Sequence, residues 1–395
     1  MMRTGVRLAL ARCPSVSRRA ATAANRLVTD PQVLQDKVDA WKGPYTPGPL
    51  TEAEFEQFFT DGFVLKRDIL TPDLLHAAQG EVEKEVDEVA RALFAAGKIT
   101  DLCEKEGFFS RLTALEKQFP HVSVLLHKRG VLRPGVRQLW SAPVLLDIAQ
   151  QIIGPDIAAH PVWNLRCKTP QQEQATVPWH QDIAYLDEEC WSTLQLTAWV
   201  PLLDANEENG CMQVVRGGHR TGRAAHHTCC AGGTWYVDLP EEQIEDVLEC
   251  NMATDVVTCP VPKGSVLLLN NLIPHRSLNN MSPNIRWSFD LRWQSPHEPT
   301  GFSGIKETLP MRMGGNKDFN INWDKWARED RHTGMTEAAQ RRSAAAGADG
   351  TRENTTSSDD EKEFDTTIVG PWMHRWPITH HNRHTRALMR SSNNT

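Results

Sequence analysis

The stretch Val177-Pro178-Trp179-His180-Gln181-Asp182 places an imidazole and a carboxylate two residues apart. On a strand, residues two apart project from one face, so His180 and Asp182 can form half of a metal site. One distant histidine would complete a set of two His and one carboxylate. That set leaves adjacent coordination positions open and is diagnostic of non-haem Fe(II) oxygenases. His275, in Pro274-His275-Arg276-Ser277, is the candidate third ligand. Zinc also accepts imidazole and carboxylate, and a hydrogen-bonded structural His–Asp pair is the bland alternative.

The elements that must carry these groups read as β-structure. Lys263-Gly264-Ser265 is a turn, Val266 to Leu269 a buried strand, and His275 follows at its far end. Ile285 to Trp293 alternates, with Ile285, Trp287, Phe289, Leu291 and Trp293 on one face and Arg286, Ser288, Asp290 and Arg292 on the other. Arg286 falls eleven residues after His275. A guanidinium fork pairs bidentately with a carboxylate, so Arg286 can anchor a cosubstrate with a terminal carboxylate, such as 2-oxoglutarate. Pairing with Asp290 is its structural alternative, and Arg276 and Arg292 compete for the anchoring role. Ser277 shares a face with His275, so its hydroxyl can reach the same carboxylate.

Composition bounds the rest. A chain of 395 residues, 40% hydrophobic and 24% charged, is an ordinary globular protein. A net charge of −7 and a pI near 6.1 argue against a nucleic-acid partner, and no run approaches the length of a membrane span. The nine cysteines form no C-x-x-C pair and read as reduced thiols.

Residues 1–29 carry Arg3, Arg7, Arg12, Arg18, Arg19 and Arg26 and no acid before Asp30, the composition of a mitochondrial presequence. Peroxisomal and cytoplasmic locations are the alternatives, and the C-terminal Ser392-Asn393-Asn394-Thr395 is not of the S-K-L type. Residues 30–50, rich in proline, read as a linker, and 51–330 as the functional domain. Thr51 and Glu54 form a capping box for a helix that Gly62 ends. A second helix starts after Thr71 and stops near Gly97, and a third spans about 143–153. From 158 onward short strands with turn punctuation (158–168, 177–184, 193–200, 211–215, 254–259, 264–269 and 285–293) point to a sandwich or barrel. A loop with one short helix, from Pro240 to about Glu249, is expected over the barrel mouth. Residues 331–367 read as disordered. The tail 368–395, with His374, His380, His381 and His384, reads as solvated and partly docked. His219, after a Gly-Gly turn, reads as holding that turn rather than as a fourth ligand.

From about Thr51 to Trp293 the chain resembles the phytanoyl-CoA dioxygenase family of Fe(II)/2-oxoglutarate-dependent oxygenases. The resemblance rests on W-H-Q-D at 179–182, A-W at 198–199, N-G-C at 209–211, G-G-H-R at 217–220, and P-H-R-S at 274–277 with Arg286 beyond it. It implies a mainly β fold, a double-stranded β-helix (jelly roll, cupin-like) with N-terminal helices packed on the outside. It implies His180, Asp182 and His275 as iron ligands, and Arg286 and Ser277 on the far carboxylate of 2-oxoglutarate. Asn164 and Trp199 would line the cosubstrate pocket. The implied reaction is hydroxylation of an aliphatic C–H of an acyl-CoA or other small organic substrate, using O2 and releasing succinate and CO2. Ascorbate would serve as reductant, and the chain would act as a monomer or homodimer. The other functional classes are a catalytically silent jelly roll that binds a metal or ligand, and a cupin oxygenase that uses no cosubstrate.

Overall fold

The structure is a computed structural model that describes residues 31–120, 122–129, 131–172, 176–229, 236–301 and 307–327. The expected presequence, the disordered segment 331–367 and the tail 368–395 with its histidines lie outside the described residues.

The N-terminal third is helical: α1 (Pro31–Ala40), α2 (Glu52–Asp61), α3 (Pro72–Ala95), α4 (Arg111–Gln118), α5 (Val122–Arg129), α6 (Pro134–Trp140) and α7 (Pro143–Ile153). α1 lies inside the stretch read as a linker. α4, α5 and α6 had not been expected; each is short, and α5 has little one-sided apolar pattern to announce it. The capping box of α2 forms as read. The Thr51 hydroxyl accepts from the Glu54 N–H at 3.3 Å, and the Glu54 carboxylate accepts from the Thr51 N–H at 2.8 Å. Gly62 ends α2 at φ 87°, and a Cβ there would lie 2.6 Å from His219 Nδ1, so both the angle and the space require glycine.

The strands are β1 (Phe63–Lys66), β2 (Ile157–Ala159), β3 (Asn164–Lys168), β4 (Leu196–Pro201), β5 (Met212–Val215), β6 (Thr228–Cys229), β7 (Val237–Asp238), β8 (Val256–Cys259), β9 (Val266–Asn270), β10 (His275–Ser277), β11 (Arg286–Gln294) and β12 (Leu309–Arg312). Among the described residues the larger sheet runs β1-β9-β4-β11-β2-β12, with β3 pairing the first half of β11. The smaller sheet runs β10-β5-β8. All the pairings are antiparallel. The sheets face each other as a double-stranded β-helix, closed on one side by Phe63, Trp199, Leu267 and Leu269 packing against Met212, Val214 and Cys259.

The period-two alternation of β11 decides which groups enter the barrel. Trp287, Phe289, Leu291 and Trp293 point outward under the helices, in one core with Leu196, Ala198, Val200, Val266 and Leu268. α3, α6 and α7 cover that face with Leu75, Val82, Val89, Leu139, Trp140, Leu145 and Ile152. Burying each such large side chain contributes on the order of 2 kcal/mol. Arg286, Ser288, Asp290 and Arg292 consequently point into the barrel, where Thr197 and Trp199 of β4 and Asn164, Arg166 and Lys168 of β3 meet them in register.

Two strand expectations need correction. The stretch 177–184 is not a strand: His180 makes a single antiparallel bridge to His275, and Asp182–Tyr185 is a turn of 3₁₀-helix. The stretch 158–168 is broken into β2 and β3, where the His160 side chain caps the break by accepting from the Val162 N–H at 3.2 Å. The helix expected over the mouth is shorter than read, α8 (Glu241–Asp246), and β12 and α9 (Trp323–Ala327) follow in the loop-rich end. Trp326 anchors that end, donating to the Glu307 carbonyl at 3.0 Å and packing on Trp140.

Candidate metal centre

His180, Asp182 and His275 converge. They are 3%, 6% and 4% exposed, and one ligand atom from each lies within 4.8 Å of the others. The bridge between His180 and His275 brings the two imidazoles side by side, through N–H···O bonds of 3.0 and 2.9 Å. The sequence argument placed Asp182 on the same strand face as His180. In fact the chain turns into 3₁₀-helix after Gln181, and that turn swings the carboxylate back under the two rings.

Each ring is oriented by its own backbone. His180 Nδ1 lies 2.9 Å from the Pro178 carbonyl, and His275 Nδ1 lies 3.0 Å from the Ile273 carbonyl. A carbonyl only accepts, so each Nδ1 carries the hydrogen and each Nε2 presents a lone pair. These Nε2 atoms stand 3.6 and 3.8 Å from Asp182 Oδ1. That is beyond a direct hydrogen bond and within the span that one ion with bonds of about 2.1 Å can bridge. Burial, and then the neighbouring His180, lowers the His275 pKa to about 4, so its imidazole is neutral, as a ligand must be.

Arg292 holds the carboxylate. Its Nη2 donates to both oxygens of Asp182, at 3.0 and 2.9 Å, and its Nε donates to Oδ2 at 3.1 Å. The Thr197 hydroxyl adds a bond of 3.1 Å. Burial pushes the Asp182 carboxyl up, but the Arg292 charge and the two imidazoles outweigh it and hold the group well below the usual carboxylate range. Such partners fix the orientation of a ligating carboxylate. The sequence reading had weighed Arg292 only as a rival anchor for the cosubstrate. Its place on the inner phase of β11, two residues from Asp290, was the available signal.

Gln181, between the two ligands and fully buried, ties the site to its surroundings. It donates to the carbonyls of Leu272 (2.7 Å) and Arg223 (3.0 Å) and accepts from the Ala225 N–H (2.9 Å). It belongs to the W-H-Q-D motif, but its residue type alone assigns it no role. The Gly-Gly turn supports His275 from behind: a Cβ on Gly218 would lie 2.5 Å from Pro274. His219 faces away from the ligands and lies 2.8 Å from the Phe59 carbonyl, so it holds the turn as read.

Arg286 is 2% exposed and directed into the barrel. It donates to the Ser288 hydroxyl at 2.6 Å and lies 5.2 Å from the centre of the Trp199 ring. Among the described residues its Nε has no partner. Burial lowers its pKa to about 10, against a partial offset from Asp290. The structural alternative, an Arg286–Asp290 pair, is not formed. Asp290 instead accepts from Arg166 Nε at 2.8 Å, with Arg292 3.9 Å away. A buried guanidinium with an unpartnered Nε, in the same barrel as three side chains that could hold a metal ion, fits a carboxylate-bearing ligand. Ser277 is 3% exposed, and its oxygen accepts from the Val177 N–H (3.1 Å) and Lys168 Nζ (2.8 Å).

A cavity lies beside Asp182. Polar groups from His127, His160, Asn164, Arg166, Tyr185 and Tyr236 line it, with Val162 and Leu186 as its aliphatic wall. Asn164, turned so that both amide atoms are satisfied, accepts from Arg292 Nη1 at 3.3 Å, so it lies on this side of the centre. Trp199 lies beside Arg286 instead.

The profile of a family described as Phytanoyl-CoA dioxygenase matches residues 58–288. A phytanoyl-CoA dioxygenase domain-containing protein 1 homolog of Dictyostelium discoideum is 23% identical over 268 residues, covering 62% of this chain and 91% of that protein. The 1-deoxypentalenic acid 11-beta-hydroxylase of Streptomyces exfoliatus is 25% identical over 177 residues, covering 42% of this chain and 59% of that enzyme. Among solved structures, the non-heme monooxygenase ThoJ in its apo form is 22% identical, with a TM-score of 0.46, covering 74% of this chain and 98% of that one.

Proposed function

From the premise that the chain belongs to the phytanoyl-CoA dioxygenase family, and is therefore a 2-oxoglutarate-dependent oxygenase, we propose that it hydroxylates an aliphatic C–H bond of a compact, polar organic substrate. The observation that carries this reading is the pairing of two centres: three side chains that could hold a metal ion, with free Nε2 lone pairs and an ionised carboxylate, and a buried Arg286 whose Nε has no partner among the described residues, on the same barrel interior.

His180, Asp182 and His275 would hold Fe(II), and Arg286 would receive the distal carboxylate of 2-oxoglutarate. Bound there, the iron supplies dioxygen activation coupled to conversion of 2-oxoglutarate to succinate and CO2. The chain itself does the positioning. The Pro178 and Ile273 carbonyls keep the imidazoles in one tautomer. Arg292 keeps Asp182 ionised and its oxygens aimed. The buried ring of Trp199 covers Arg286 and keeps water from the anchoring charge.

The substrate would enter the cavity beside Asp182. The number of hydrogen-bonding side chains around it supports a small, oxygen-bearing substrate over a long acyl chain, with the rings of Tyr185 and Tyr236 beside Val162 and Leu186 supplying the apolar part of its lining. An acyl-CoA remains the alternative that the family's name suggests. Succinate formation distinguishes them: protein loaded anaerobically with Fe(II), then given 2-oxoglutarate, oxygen and a panel of acyl-CoAs and small hydroxy, oxo and carboxylic acids. Stimulation by compact polar acids supports the proposal, and stimulation by long acyl-CoAs alone contradicts it. The arginine-rich segment 1–29 supports mitochondrial import, which a fluorescent-protein fusion with and without that segment would test. Ascorbate as reductant is part of the same reading, and its omission from the assay should speed inactivation.

A further inference from the structure

Lys168 ends β3 directly opposite Arg286 in the antiparallel register. Such partners stand with Cβ atoms about 5 Å apart on one face. Both side chains are 2% exposed. Like charges placed this way are unfavourable, more so when buried, yet among the described residues neither has a carboxylate bonded to it. Arg286 has the Ser288 hydroxyl and the Trp199 ring. Lys168 donates to Thr176 Oγ1 at 3.3 Å, to Ser277 Oγ at 2.8 Å and to the Leu278 carbonyl. Burial, and then the charges of Arg286 and Arg166, push the Lys168 amine well below the usual lysine range. Two cations kept together without an acid suit an anion that arrives from outside.

The hydrogen-bond directions add a second argument. The Thr176 hydroxyl donates to Asn279 Oδ1 at 2.6 Å, so its oxygen meets Lys168 as an acceptor. Ser277 Oγ accepts from the Val177 N–H at 3.1 Å and from Lys168. A hydroxyl has two acceptor lone pairs and one hydrogen. With both lone pairs engaged, the Ser277 hydrogen is what remains to donate. Gly210 makes room for this arrangement, because a Cβ there would lie 3.0 Å from Lys168 Cδ and 2.5 Å from the Leu278 oxygen.

We propose that Lys168 is a positioning residue of the cosubstrate pocket: by filling a lone pair of Ser277 from behind, it turns the Ser277 O–H toward the carboxylate that Arg286 receives. This rests on the 2-oxoglutarate reading given above. The lysine acts through Ser277.

The test compares 2-oxoglutarate with 2-oxobutyrate, which has the same keto acid end and no distal carboxylate. Each is titrated calorimetrically into anaerobic Mn(II)-loaded protein. In Lys168→Met the Kd for 2-oxoglutarate rises about ten-fold or more, the size expected for losing a hydrogen bond to a charged group, and the Kd for 2-oxobutyrate is unchanged. Ser277→Ala shows the same selective loss, and adding Lys168→Met to it has little further effect. Lys168→Gln, whose amide can still donate to Ser277, loses less; it and Ser277→Ala carry the comparison if the methionine variant fails to fold. Unchanged binding of 2-oxoglutarate in the Lys168 variants, or equal weakening of both acids, overturns the inference. Arg286→Met separates the two levels. If it too keeps the preference for 2-oxoglutarate, the cosubstrate reading falls. If it loses that preference while the Lys168 variants retain it, only the role of Lys168 falls.

Discussion

Arg286→Met should stabilise the ligand-free protein while removing its affinity for 2-oxoglutarate. The guanidinium is buried, has one side-chain hydrogen bond, and leaves Nε without a partner. Its pKa falls to about 10, chiefly through burial. A drop of that size corresponds to about 3 kcal/mol of unfavourable charge burial. Losing the bond to Ser288 gives back about 1 kcal/mol, and methionine fills similar space without a charge. The net expectation is a gain of about 2 kcal/mol, or roughly 3 to 4 °C in Tm for a domain of this size. The sign with pH follows from linkage. A cation whose folded pKa is depressed is destabilising at all pH values below it, and the penalty is relieved only as pH rises above about 10. At neutral pH the full difference is therefore present. Thermal unfolding of metal-free wild type and Arg286→Met, beside calorimetric titration with 2-oxoglutarate, measures both effects. A variant that unfolds earlier than wild type would show that Arg286 is a structural element of the barrel and refute its role as a ligand anchor.

The sequence exposed some of this more readily than the rest. The alternation of Trp287, Phe289, Leu291 and Trp293 against Arg286, Ser288, Asp290 and Arg292 was visible, because a strand with helices on one face and a polar interior on the other keeps a strict period of two. Arg286 could be placed from it, and His275 from its position beyond the strand Val266–Leu269. The convergence of His180 with Asp182 was expected for the wrong local reason. A single bridge residue followed by 3₁₀-helix has no periodicity to read, and it is held by tertiary bonds from Gln181 to Leu272, Arg223 and Ala225. The charge partners were hidden for a similar reason. That Arg292 takes Asp182, Arg166 takes Asp290, and Arg286 is left over depends on strand register between β3, β4 and β11, which spacing along one strand does not determine. Short helices such as α5 are formed by packing rather than by local pattern, and so went unseen.

Arg292→Met leaves Asp182 charged and buried, so it should destabilise metal-free protein by about 3 to 5 kcal/mol. Urea unfolding should show part of that loss recovered when Mn(II) is added. The buried His160, whose pKa burial lowers from 6.5 to about 4, stays neutral in the fold while the unfolded chain takes up a proton. Stability of the metal-free protein should therefore fall as pH drops from about 6.5 toward 4, and unfolding midpoints across that window measure it; a flat profile would argue against a neutral, buried His160. His219→Ala should leave metal binding unchanged and lower stability by about 1 to 2 kcal/mol, through loss of its contact with the Phe59 carbonyl, which metal titration and thermal unfolding read separately.

The claim that His180, Asp182 and His275 form a centre at which a keto acid chelates iron is tested most directly by visible absorption under anaerobic conditions. Fe(II) and 2-oxoglutarate added together to the wild type should give a charge-transfer band that saturates at one iron per chain and is lost in Asp182→Ala. No band in the wild type, or an equal band in Asp182→Ala, would contradict the account.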